Sequence, residues 1–197
     1  MSEAANKEAT APLPPLPLEG IRVLDFGTLL PGPLATLMLA DAGASVVKVE
    51  AAGGDGARAH TPFDGGESLH FALLNRGKKS VVLDLKSPEG KAAALKLATE
   101  ADVLLDQFRP GVMQRLGLDY ASVQAVNPRI IYCSLTGYGQ DGPLARTPGH
   151  DINYLARSGM LAVGRGADGH PVIPAAAVAD IGGGTLPAVV NKVLFRS

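Results

Sequence analysis

The chain has 197 residues, 46% of them hydrophobic and 19% charged. That is the composition of a globular chain long enough to bury a core, and it excludes a disordered one. Eighteen basic residues against nineteen acidic ones leave a formal net charge of -1. No segment concentrates the basic residues, so neither a nucleic acid nor an anionic membrane surface is expected as a partner.

Residues 1–18, rich in Ala and Pro, lack the basic and apolar regions of a signal peptide and read as a flexible lead-in. No apolar run approaches the roughly 20 residues that span a bilayer. A cytoplasmic domain over residues 19–197 is the expectation. Within it, IRVLDF (21–26) predicts a buried strand, PLATLMLADAGA (33–44) a helix and SVVKVE (45–50) a second strand. Strand, helix and strand within about 30 residues are the mark of a parallel βαβ unit.

The Gly-rich segment 51–66 predicts a loop, and KSVVLDL (79–85) a third strand. SPEGKAAALKLATEA (87–101) predicts a helix capped by Ser87, with Pro88 and Glu89 in its first turn. DVLLDQF (102–108) predicts a strand, followed by two short helices, the second capped by Asp119. RIIYCSL (129–135) predicts a last strand, closed by the glycine turn TGYGQDGP. Cys133, the one cysteine, sits in this apolar strand and excludes an intrachain disulfide. The alternation predicts an open α/β sheet with helices on its faces. Ligands of such sheets sit beyond the carboxyl ends of the strands, here the loops 27–33, 51–78, 106–112 and 136–150. Neither GxGxxG nor GxxxxGK[ST] occurs at the required places, which disfavours an NAD site and a P-loop.

Several residues in those loops can carry chemistry. Arg76, Lys78 and Lys79 flank a glycine and can hold a phosphate, or form an ordinary solvated turn. Arg109 stands before a Pro-Gly break where a helix start favours an anion. His150 and Asp151 are neighbours at the start of DINYLARSGML, where an Asp also favours the helix electrostatically. Asp180 precedes Gly182, Gly183 and Gly184, which admit a ligand or another backbone. His60, His70 and His170 lack ligand spacing, so no metal site is expected.

Six segments occur in one order: GIRVLDFGTLLPGPLATLMLADAGASVVKVE, NRGKKSVVLDL, EADVLLDQFRPGVMQRLGLDY, NPRIIYCSLTGYGQDGP, GHDINYLARSG and VADIGGG. Together they resemble the N-terminal half of the family III CoA-transferases, in particular its α-methylacyl-CoA racemase branch, from about Leu18 to about Val190. The resemblance implies a Rossmann-like, mainly parallel sheet with helices on both faces. It also implies an acyl-CoA substrate, no prosthetic group, and an interlocked homodimer of the longer family members. The nucleotide end of CoA is expected near Asn75, Arg76, Lys78 and the strand Val82, Leu83, Asp84, Leu85. Arg109 is expected near the diphosphate, and Gly149, Asn153 and Tyr154 near the pantetheine and thioester. Ala51 stands where the racemases carry an Arg of the phosphate clamp.

The resemblance assigns the opening pair of GHDINY to different reactions. In the racemase branch the matching His150 and Asp180 exchange the α-proton on opposite faces of the thioester, which takes two acid/base groups. In the transferase branch the matching Asp151 attacks the thioester and forms a covalent intermediate. Family members run well beyond this length. The expectation is therefore a large domain without its small domain. A third expectation follows, an inactive or CoA-binding-only fragment. The last residues, VVNKVLFRS, depart from the amphipathic helix expected there.

Overall fold

The computed structural model describes residues 14–194. Strand β1 (Arg22–Phe26) leads into helix α1 (Pro31–Asp41) and strand β2 (Ser45–Glu50). A 3-10 turn (Gly56–Ala59) and a small hairpin of β3 (Phe63–Asp64) and β4 (Glu67–Ser68) precede α2 (Leu69–Asn75) and β5 (Lys79–Val82). Then come α3 (Pro88–Glu100), β6 (Val103–Asp106), α4 (Val112–Leu116), α5 (Tyr120–Val126) and β7 (Ile131–Ser134). Helices α6 (Asp151–Arg157), α7 (Met160–Val163) and α8 (Val178–Leu194) complete the described chain. No helix among the described residues is long and apolar enough to cross a membrane.

The main sheet is parallel throughout, in the order β5-β2-β1-β6-β7. Side chains alternate along each strand, so the sheet feeds two cores. Val23, Val46, Val103 and Leu105 pack with Ala35 and Leu39 of α1. Leu24, Phe26, Val49 and Leu104 pack on the other face with Ala94 and Ala98 of α3, Met113 of α4 and Val123 of α5. Apolar residues on both faces of the central strands are what a doubly covered parallel sheet requires. Leu18 is buried in the α1-side core, so the lead-in expected over 1–18 ends before it; residues 1–13 lie outside the described chain.

The cap expected at Ser87 forms: Gly90 N–H donates to Ser87 Oγ at the start of α3. Local expectations shift elsewhere. Helix α1 begins two residues early because Pro31 lacks the N–H that a first helical position leaves unpaired. Strand β5 stops at Val82. Leu83 still donates to Glu50 O, but Asp84 O then accepts Ser87 N–H and turns the chain into α3. Helix α2, within a region expected as loop, starts at Ser68, whose Oγ accepts from Phe71 N–H. Asp119 occupies the cap position of α5 without bonding its backbone; its carboxylate takes the Ser122 hydroxyl instead. Helix α8 continues through Pro187 to Leu194, and the end of VVNKVLFRS, residues 195–197, lies outside the described chain.

The carboxyl ends of β1 and β2 carry an ionic network inside the fold. Lys78 Nζ lies 3.2 Å from Asp25 Oδ2 and donates to Pro33 O, Thr36 Oγ1 and Asn75 Oδ1. Lys48 Nζ lies 2.8 Å from Asp55 Oδ2 and donates to Gly27 O. All four charged side chains are at most 1% exposed. Buried charges persist only when paired in this way. Asp55 Oδ1 also accepts Leu29 N–H at 3.0 Å. That bond holds Leu29 at φ 61°, a conformation costly for a residue with a Cβ.

Glu50 takes Arg58 through two bonds of 2.7 and 2.8 Å, plus the Ser80 hydroxyl and Asp55 N–H. Chiefly through Arg58, its carboxyl falls from the ordinary 4.5 to about 2. A depressed folded-state value contributes stability that is complete above pH 4.5 and lost as pH falls toward 2. Glu50→Gln is expected to flatten that acid limb by about 2 kcal/mol in urea midpoints measured from pH 6 to pH 2.5.

Candidate active site

A cavity of about 400 Å³ opens beyond the carboxyl ends of β1, β6 and β7. Strand order reverses between β1 and β6, the point where open α/β sheets bind ligands. Leu29 and Pro31 come from the loop after β1 and the first turn of α1, Gln107 to Pro110 from the loop after β6, and Thr136 to Tyr138 from the loop after β7. His150 and Tyr154 of the α6 start and Asp180 and Gly183 of α8 line the same cavity. Gln107 Oε1 accepts Gly32 N–H at 2.8 Å and ties two of these walls together.

His150 precedes α6, and its backbone N–H donates to Asn153 Oδ1 at 2.9 Å. Asp151 does something different from what its own helix needs. Its Oδ1 accepts the N–H of Ala179 at 2.7 Å and of Asp180 at 3.1 Å, both in the first turn of α8. Asp180 is half-buried. Burial, and secondly the charge of Asp151, push its carboxyl above the ordinary range, while His150 pulls it the other way. Tyr154 donates to Gly149 O at 2.9 Å and stands edge-on to Tyr138, ring centroids 5.1 Å apart. Its ring lies so close to Gly137 and Gly149 that neither position has room for a Cβ. Behind the cavity Asp106 is buried, accepting from Ser134 Oγ and Phe108 N–H, and burial raises its carboxyl.

Arg109 also borders a second cavity of about 320 Å³, which Arg115 and Arg146 line as well. Among the described residues no carboxylate lines it, and three arginines border a space that suits an anion.

Residues 18–193 match the model of CoA-transferase family III. The chain belongs to that family. It is 42% identical over 179 residues to acetyl-CoA:oxalate CoA-transferase of Acetobacter aceti, covering 90% of this chain and 46% of that one. It is also 42% identical over 178 residues to human alpha-methylacyl-CoA racemase, covering 90% and 43%. The crystal structure of Rv3272 from Mycobacterium tuberculosis superposes with a TM-score of 0.86 at 42% identity, covering 93% of this chain and 52% of that one. This family III chain thus spans about half the length of the relatives it matches.

Of the residues the sequence singled out, Arg109, Gly149, His150, Tyr154 and Asp180 line the 400 Å³ cavity of this family III domain. Asn153 and Asp151 lie beside it with their side chains engaged by backbone N–H groups. Asn75, Arg76, Lys78, Val82, Leu83, Asp84 and Leu85 line neither cavity. They lie toward β5, with β2 between that strand and β1. Lys78 and Asn75 are locked into the buried network, and Arg76 pairs with Asp41 at 2.6 Å. The Lys78 ammonium is bonded by protein oxygens of Asp25, Pro33, Thr36 and Asn75. Sequence reasoning missed Leu29 and Gln107, while the Tyr ring of TGYGQDGP, Tyr138, lines the cavity. Leu29 and Gln107 each follow a strand end, which was their available signal.

The three glycines of α8 separate by what faces them. A Cβ at Gly184 would come 2.6 Å from Pro31 O of α1, whereas one at Gly182 meets nothing within 4 Å. Gly184→Ala is expected to lower stability by about 1–3 kcal/mol. Gly182→Ala is expected to raise it by up to about 1 kcal/mol through helix propensity. Thermal midpoints of the two variants moving in the same direction would refute this reading of the α1–α8 contact.

Proposed function

We propose that this domain holds an acyl-CoA with its thioester between His150 and Asp180, and that the pair exchanges the α-proton of a 2-methylacyl group. The carrying observation is the division of labour at the helix starts. His150 and Asp180 both border the cavity, while the Asp151 carboxylate is taken up by α8. A neutral imidazole suits removal of the proton near physiological pH. Burial favours the protonated form of Asp180, which suits its return on the opposite face. Backbone N–H groups near the α6 start can stabilise the enolate oxygen. Arg109, Arg115 and Arg146 suit the phosphates of the CoA carrier. An interlocked dimer belongs to the same reading, supported by the exposed Val163, Ile173 and Leu186.

A second reading is CoA transfer between carboxylic acids, with Asp151 attacking the thioester. The transferase relative, as similar to this chain as the racemase, favours it. A binding-only fragment is the third, favoured by the half-length match. One experiment separates them. The chain is incubated with a 2-methylacyl-CoA in D2O, in parallel with a free acid as CoA acceptor. Deuterium at the α-carbon supports racemisation. Acyl exchange with a hydroxylamine-sensitive adduct on Asp151 supports transfer. Saturable binding with neither reaction supports the fragment.

A further inference from the structure

We infer that Asp151 is a positioning residue, whose carboxylate anchors the first turn of α8 and thereby holds Asp180 against the cavity. This deepens the racemase reading and rests on it for its catalytic consequence. The geometry is specific. A helix start leaves backbone N–H groups without partners. Two of them in α8, on Ala179 and on Asp180 itself, reach a single oxygen 28 and 29 positions earlier in the chain. The bond to Asp180 N–H acts on the residue whose carboxyl borders the cavity. Four residues further on, α8 packs against Pro31 and Leu34 of α1 at Gly184. The start of α8 is therefore held at two points, by Asp151 at Ala179 and Asp180 and by α1 one turn later.

The same contact has an electrostatic effect. Asp151 places a negative charge beside Asp180, which favours the proton-bearing form that burial already favours. His150 on the same helix opposes it. Tyr154 of α6 is electrostatically coupled to the same carboxyl, and Arg109 of the loop after β6 borders the same cavity. Asp151 in this role forms no bond with the substrate.

The test uses the 197-residue chain and two variants. Asp151→Asn keeps an oxygen acceptor and loses the charge; Asp151→Ala loses both. Amide hydrogen exchange at Ala179 and Asp180 is expected to quicken about tenfold or more in Asp151→Ala, the loss typical of a helix cap, and to stay near the parent rate in Asp151→Asn. The Asp180 carboxyl, followed by carbon NMR, is expected to titrate at lower pH in Asp151→Asn, by about half a unit or more. In 2-methylacyl-CoA exchange, Asp151→Ala is expected to lower kcat with KM held, and Asp151→Asn to recover most of it. Unchanged amide protection in Asp151→Ala, or an unmoved Asp180 titration in Asp151→Asn, overturns the inference. A parent chain that exchanges no α-proton while its amides respond as stated overturns the racemase reading and leaves the anchoring role standing. Should Asp151→Ala not fold, the Asp151→Asn titration decides alone.

Discussion

His150→Ala is expected to slow α-proton exchange of a 2-methylacyl-CoA in D2O by roughly 10²- to 10⁴-fold, the usual contribution of one acid/base group. The loss should appear in kcat. KM should move little, because the imidazole is one group among many that border the cavity. The direction of the exchanged substrate adds a sharper readout. With His150 removed, the enantiomer whose proton faces it should lose exchange first, while Asp180→Asn should show the opposite preference. A His150→Ala chain with parent-like exchange of both enantiomers would sink the two-base reading.

Lys78→Met is expected to cost about 3–5 kcal/mol, because it strands Asp25 inside the fold with a charge and no cation beside it. For a chain of this size that corresponds to a fall in thermal midpoint on the order of 10 °C. Burial pulls the Lys78 ammonium down to about 8 despite the pull of Asp25 in the other direction, so the pair is held at a cost that the surrounding oxygens offset. Adding Asp25→Asn to Lys78→Met removes the stranded charge and should recover much of the loss, a coupling that a double-mutant cycle measures directly. A single Lys78→Met substitution costing under about 1 kcal/mol would show that the network is not the support it is described as.

The strands were legible because their apolar runs are short, rich in Val, Leu and Ile, and bounded by Gly and Pro. Ser87 was legible because a capping residue acts on its own next turn. Helix α2 was not, since seven residues give too little periodicity to separate helix from loop. The burial of Lys78 was not legible for a related reason. A lysine next to glycine and arginine reads as exposed, and nothing nearby in the chain reveals that Asp25 and Thr36, 53 and 42 positions away, enclose it.

At the candidate site, His150 and Asp180 were nameable from their motifs, but the partner of Asp151 was not. The sequence places Asp151 at the start of a helix and suggests that it serves that helix. In the fold its carboxylate serves α8 instead.

What the sequence by itself determined is the alternation of strand and helix, and with it a parallel sheet with loops gathered beyond the strand ends. Those features follow from local propensity and hydrophobic period, which act over a few residues. Only the tertiary structure decided which loops meet at the reversal of strand order, which charges are buried, and that a carboxylate on α6 ties down the start of α8. These are contacts between segments tens of residues apart. They exist because packing both faces of the sheet brings the helix starts together.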